Sequence, residues 1–236
     1  MSTKKSILAS LKAAFPHTIP IMTGFLFLGM SYGILARSEE LPAWLPILTS
    51  LIIFGGSLEF VSVTLLTSAF APLQAFLVGL MVQARHLFYG VSMLKKYKNT
   101  GRKKPYLIYG LCDETFSVNY TVNPPENISR NWFMLFVTLL NHSYWVIGVT
   151  VGSLIGSIFP FSTEGLDFVM TAMFAVIFLE QLLKEKRHYT SMIGLFSTVL
   201  CLSIFCADKF LIPSMILIAL LLVVLKKPIE TRGGIE

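Results

Sequence analysis

The stretch FGGSLEF, residues 54–60, places two adjacent glycines and a carboxylate inside an apolar run from Ala43 to Phe70. Gly55 and Gly56 can adopt φ > 0 and leave backbone N–H and C=O groups free for a ligand. A helix starting just after them turns its positive end toward an anion such as a carboxylate. Glu59, about one turn on, can then meet an ammonium group or carry a proton. Gly55, Gly56, Ser57 and Glu59 are therefore candidate ligand contacts. The structural alternative uses the glycines for close helix packing and gives Glu59 a hydrogen-bonded neighbour. Intramembrane carboxylates are costly and by default functional.

Two further stretches carry charge at apolar depth. In QARHLFYG, residues 83–90, Arg85 stands ten residues before the basic loop at 95–104. That is about 15 Å along a helix, too far to snorkel comfortably, and a centred arginine costs on the order of 2.5–3.5 kcal/mol. It needs a partner, and Glu59 and Asp113 are the candidates. His86 can titrate with a cycle or simply be hydrogen-bonded. In GLCDETFSVNY, residues 110–120, Asp113 and Glu114 point about 100° apart on a helix, so one faces any cavity. Asp167, in STEGLDFVMTAMF, opens an apolar run and suits either a helix cap or a proton site. Asp113, Glu114, Asp167 and His86 are the proton-coupling candidates.

The elements that must hold these residues are membrane helices. The chain has 236 residues, 54% hydrophobic and 14% charged, with mean hydropathy +0.70, against about 25% charged in a soluble domain. Apolar runs lie at 16–36, 43–69, 71–94, 131–159, 166–183, 189–206 and 210–225, with a weaker one at 105–122. A crossing needs about 20 apolar residues. The expectation is an all-α polytopic membrane protein of about six to eight transmembrane helices, some broken or re-entrant, forming one membrane domain over 1–236. Alternating segments of the β-barrel kind are not visible. Residues 1–15 form a short interfacial helix or a frayed tail, with no convincing signal cleavage site, and 226–236 is a tail. Cys112, Cys201 and Cys206 match no metal spacing and read as free thiols. No nucleotide-binding P-loop and no sign of a prosthetic cofactor stands in the chain.

Charge sets the topology. KKYKNTGRKK at 95–104 carries six basic residues and no acid and marks the cytoplasmic side. The N-terminus, KEKRH at 184–188 and KKP at 226–228 point the same way, whereas 37–42 reads as outside. Outside at 42 and inside at 95 requires an odd number of crossings, yet two apolar runs lie between. One of them must fail to cross. If 105–122 also dips in and returns, both termini fall inside. Broken helices at membrane depth line a cavity or are buried in protein, and in transporters they place half-helix ends at the substrate.

The pairs Gly29/Gly33, Gly148/Gly152 and Gly152/Gly156 are small-xxx-small spacings for helix contact. Glu59-Phe60-Val61 and Asp167-Phe168-Val169 echo one another, which suggests an inverted repeat of the two halves. A rival class, an intramembrane hydrolase or protease, pairs Ser57 with His86 or His142, or Asp113 with Asp167. Against it, Ser57 sits in GGSL and no GxGD stands at either aspartate.

GGSLEF at 55–60, RHLFYGVSM at 85–93, DETFSV at 113–118, the stepped glycines at 148–156 and LDFVMTAMF at 166–174 together resemble the AzlC/YgaZ/BrnF family. These blocks run in order across residues 20–225. The resemblance implies a secondary transporter subunit of the bacterial cytoplasmic membrane. It implies export of the branched-chain amino acids valine, leucine and isoleucine, with methionine, driven by the proton gradient. It also implies a small membrane subunit of the AzlD/YgaH/BrnE type. The family commonly has Gln where this chain has Glu59, which moves proton coupling toward Asp113, Glu114 or Asp167. A zwitterion needs one anion site and one cation site, which the broken helices, Arg85 and the acids can supply.

Overall fold

In the first unit, two long helices run side by side in the same direction. The computed structural model describes residues 3–158, 175, 179, 182–183, 188–205 and 210–225, in two compact units, Met1–Asp167 and Phe168–Glu236. The long pair is α1 (Thr3–Ser38) and α8 (Arg130–Ile158). Ser10 meets the Ser129 carbonyl near their starts, Phe25 packs edge-on to Trp145 midway, and Gly156 lies against Arg37 near their ends. The glycine spacings make this contact. A Cβ on Gly29 would sit 2.9 Å from the Trp145 carbonyl, one on Gly33 2.6 Å from the Ser153 nitrogen, and one on Gly152 inside the Met30 carbonyl. Gly152→Leu is therefore expected to push the helices apart and cost at least ~3 kcal/mol, the upper range for overpacking. A lowered Tm in detergent checks this. Gly24→Ala, with nothing within 4 Å, is the neutral control.

Of the stretch 1–15, read as an interfacial helix or a frayed tail, residues 3–15 are helical and continuous with the rest of α1, which passes unbroken through Pro16 and Pro20. The physical reason is packing. Ala14 is buried with Phe133, Met134 and Val137 of α8, and Thr18 is bonded to Tyr144. These contacts outweigh the backbone bonds that the prolines remove.

Between α1 and α8 the chain makes two half-length hairpins and one kinked crossing. Helix α2 (Trp44–Ile52) and α3 (Ser57–Thr67) rise about 14 and 16 Å, half of a ~30 Å hydrocarbon core. Thr49 on α2 bonds Tyr32, and Phe54 at the break packs against Phe25, a level deeper along α1. Phe60 on α3 is back at Tyr32. The hairpin enters from the Ser38 end and returns to it. Helix α4 (Pro72–Val82) then runs antiparallel to α3, with Gly79 beside Leu58 and Gln83 bonded to Gly55. After a 49° bend at Gln83 it continues as α5 (Ala84–Tyr97) to the other end.

The second hairpin enters from that other end. A 3-10 turn at Gly101–Lys103 leads into α6 (Lys104–Tyr109), and after a break comes α7 (Asp113–Thr121). At its entry Lys103 lies 3.6 Å over the Trp132 ring. At its exit Asn119 donates to Tyr97 at 3.2 Å, and Lys96 caps the carbonyls of Asn119 and Tyr120. Both mouths thus sit at the end of α5 and the start of α8. The broken segments read from charge have matching geometry: 43–69 and 105–122 are hairpins that return to the end they start from, and 71–94 is a pair of helices bent at Gln83. Hydropathy drew 43–69 and 105–122 as spans because it counts apolar residues and not backbone continuity. Among the described residues, α1 and α8 are long and apolar enough to cross a membrane, and α4–α5 together make a third.

In the second unit α9 (Tyr189–Ile204) and α10 (Leu211–Val224) pack on one another. Asp167, the Asp167-Phe168-Val169 echo, most of the 166–183 run, Cys206 and the tail 226–236 lie outside the described residues.

Candidate functional site

Three interruptions meet at one level: Ile53–Gly56, Gln83, and Gly110–Cys112. At the first, Phe54 and Gly56 both have positive φ, +44° and +55°, and the ψ of −95° at Gly56 suits glycine alone. Helix α3 starts directly after it, as the adjacent glycines predicted. Glu59 is the third helical residue, and its Oε2 accepts the Gly56 N–H at 3.2 Å, half of a capping box. The carboxylate is fully buried, and its Oε1 lies beside the Trp145 indole N–H without reaching hydrogen-bond geometry. Gly56→Ala meets no atom within 4 Å, so its cost is backbone strain alone, about 1–3 kcal/mol. We expect a folded protein with transport reduced at least tenfold. Unchanged transport would show that this backbone shape is dispensable.

The carbonyls at the end of α2 are also held. His142 Nε2 donates to Ser50 O at 3.3 Å and its Nδ1 accepts from the Tyr106 hydroxyl at 2.9 Å. Tyr109 donates to Leu51 O at 2.6 Å. Both tyrosines belong to α6, so the two hairpins brace one another. Gln83 Nε2 donates to Gly55 O at 3.1 Å. Behind α7, Asn141 donates to Thr115 at 3.1 Å, and Thr115 pairs with the Cys112 thiol at 3.1 Å. Thr115, Asn119 and Asn141 are fully buried. These bonds fix the broken backbone where water is scarce.

Arg85 joins the three interruptions. Its Nη1 is 2.7 Å from Asp113 Oδ2, and its Nη2 donates to Ser57 Oγ at 3.3 Å. Ser57 and Asp113 are each the first residue of a half-helix, α3 and α7, so both positive helix ends lie beside the guanidinium. Of the two partners expected for Arg85, the structure supplies Asp113. Glu59 caps the start of α3 through the Gly56 N–H, and Arg85–Asp113 is the one ion pair among the described residues. Asp113 turns toward Arg85 while Glu114 lies beside the Cys112 thiol, consistent with one acid per cavity. The Tyr89 hydroxyl faces Asp113, and its ring stacks on Phe116 at 4.6 Å.

Burial without satisfaction marks the place. Among the described residues ten buried side-chain polar atoms lack a partner, and four are here: Gln83 Oε1, Arg85 Nε, His86 Nδ1 and Asp113 Oδ1. Such atoms are costly singly. In one cluster they fit a site that a polar ligand completes. Arg85 and Asp113 are 28% and 32% exposed, so neither is sealed within the protein.

Sequence reasoning had assigned no role to Gln83, Tyr89, Tyr109 and Trp145. Gln83 was legible as a polar residue two positions before Arg85 in an apolar run; the aromatic residues were indistinguishable from core. Of the pairs weighed for the hydrolase alternative, Ser57 is bonded to Arg85 and both nitrogens of His142 are engaged elsewhere, while Asp167 lies outside the described residues.

Fold and site define an all-helical membrane protein in which two opposed half-helix hairpins present a charged centre. Residues 20–159 match the family described as AzlC protein. The chain is 54% identical to the branched-chain amino acid transport protein AzlC of Bacillus subtilis, over 98% of this chain and 91% of that one. It is 43% identical to an uncharacterized membrane protein of Haemophilus influenzae (94% and 91% covered). It is 40% identical to another from Helicobacter pylori (94% and 98% covered). No solved structure matches. The chain belongs to the AzlC family.

Proposed function

We propose that this protein is the large subunit of a secondary transporter that exports the branched-chain amino acids valine, leucine and isoleucine, with methionine as a further substrate, in exchange for protons. The observation that carries it is Arg85 bonded to the first residues of two opposed half-helices, amid unpartnered buried polar atoms. The name of the Bacillus subtilis relative supports the substrate class.

A zwitterion exchanges cleanly into this pair. Its carboxylate takes the Arg85 fork and the positive helix ends, and its ammonium takes Asp113. One ion pair becomes two, so neither protein charge is left alone in a place where an unpaired charge is costly. Ammonium and proton compete for the same carboxylate, which is the requirement for exchange. Glu59 holds the break, while Glu114, His86 and Asp167 stand as further proton-handling groups. The chain sits in the bacterial cytoplasmic membrane with both termini inside and works with a small subunit of the AzlD/YgaH/BrnE type.

The experiment is release of preloaded isoleucine from proteoliposomes, with and without the small subunit and with and without a protonophore. Partner-dependent, protonophore-sensitive release is expected. No release under any condition from correctly inserted protein would overturn the proposal.

A further inference from the structure

The two hairpins repeat one another. Tyr32-Gly33 on α1 stands 28 residues before Phe60 on α3, and Tyr89-Gly90 on α5 stands 27 before Phe116 on α7. In each set the tyrosine ring packs on that phenylalanine, at 5.5 Å and 4.6 Å. Ser57 and Asp113, three residues before each phenylalanine, are the two Arg85 partners. Helix α1 runs toward the Ser38 end and its hairpin enters from there; α5 runs the opposite way and its hairpin enters from the opposite end. The two copies are therefore inverted, and Arg85 lies between them. This repeat lies within the first unit; the Asp167-Phe168-Val169 echo lies outside the described residues.

The copies differ in burial. Tyr32 and Phe60 are 1% and 0% exposed, and the Tyr32 hydroxyl is tied to Thr49 on the inward leg of its own hairpin at 2.7 Å. Tyr89 and Phe116 are half-buried, and the Tyr89 hydroxyl faces Asp113 instead. An inverted repeat around one site is how rocking transporters expose it to each side in turn.

We propose that Tyr32–Phe60 and Tyr89–Phe116 are symmetry-related gates on opposite sides of the Arg85 site. The first is shut and the second ajar in this structure, and transport exchanges their states. The function assigned to the gates rests on the transporter proposal above; their sidedness does not.

Cys112, at the tip of the second hairpin, is a native reporter between the gates once Cys201 and Cys206 are replaced by serine. A membrane-impermeant methanethiosulfonate is applied to either face of sealed vesicles without substrate. The parent protein is expected to label from the face that carries residues 95–104. Tyr32→Ala should speed labelling from the opposite face at least tenfold, and Tyr89→Ala should not. Tyr32→Phe keeps the ring and drops only the bond to Thr49, so it is the variant least prone to misfold, and it should give at least a threefold rise. Unchanged labelling from that face in folded Tyr32→Phe and Tyr32→Ala overturns the gates. Because the label needs no amino acid, sided labelling together with absent isoleucine release would fault the substrate and leave the gates standing.

Discussion

Arg85→Ala and Arg85→Lys both lose at least about a hundredfold of isoleucine transport, while the double variant Arg85→Ala/Asp113→Ala regains stability but not transport. One guanidinium reaches Ser57 and Asp113 with separate nitrogens. A lysine ammonium is a point charge on a flexible stem and cannot reproduce that fork. Removing one member of a desolvated, hydrogen-bonded charge pair costs about 2–5 kcal/mol of binding, which is the stated hundredfold within its range. Stability moves differently. Breaking a buried pair costs about 3–5 kcal/mol, but both side chains here are near one-third exposed, so solvent screening lowers the figure to about 1–2 kcal/mol. Deleting both charges removes that penalty. A structural ion pair predicts recovery of activity along with stability in the double variant; a substrate site predicts stability alone. Thermal unfolding in detergent and uptake in vesicles separate the two.

Asp113→Asn should abolish accumulation driven by the proton gradient. If the carboxylate alternately holds a proton and the substrate ammonium, one charge moves per zwitterion. At about 2.3 kcal/mol per 100 mV, a membrane potential of that size sustains a roughly 50-fold concentration ratio. The amide neither ionises nor pairs with ammonium, so the ratio is expected to collapse to one. Asp113→Glu, with one more methylene, keeps the charge and should retain measurable coupling. A persistent gradient in Asp113→Asn would move the coupling role to Glu114, His86 or Asp167.

The helix break at Gly55–Gly56 was legible because two adjacent glycines before a carboxylate are out of place in an apolar run. The positive φ at Gly56 and the bond from its N–H to Glu59 are that signal made physical. The returning segment at 104–121 was legible from the basic clusters at 184–188 and 226–228, which fall on the same side as 95–104 only if that segment returns. The Arg85–Asp113 pair followed from the cost of a lone charge at depth, which leaves few partners. Other features were hidden because they depend on three-dimensional neighbours. The parallel pairing of α1 with α8 rests on glycines more than a hundred residues apart in sequence, and α1 runs through two prolines because those contacts hold it. Glu59 reads as a ligand group in the sequence, and the structure adds that one of its oxygens caps the start of α3. The inverted repeat was sought between the halves because Glu59-Phe60-Val61 resembles Asp167-Phe168-Val169. The matching pairs, Tyr32 with Phe60 and Tyr89 with Phe116, share too few residue types to be seen without their ring contacts.

The central claim is that Arg85 and Asp113 divide the two charges of an amino acid. Titrating isoleucine into the purified protein by calorimetry tests it most directly. The wild type is expected to bind isoleucine. Asp113→Asn should bind at least tenfold more weakly, and Arg85→Ala should show no detectable binding. Isoleucine bound by folded Arg85→Ala with unchanged affinity would contradict the account.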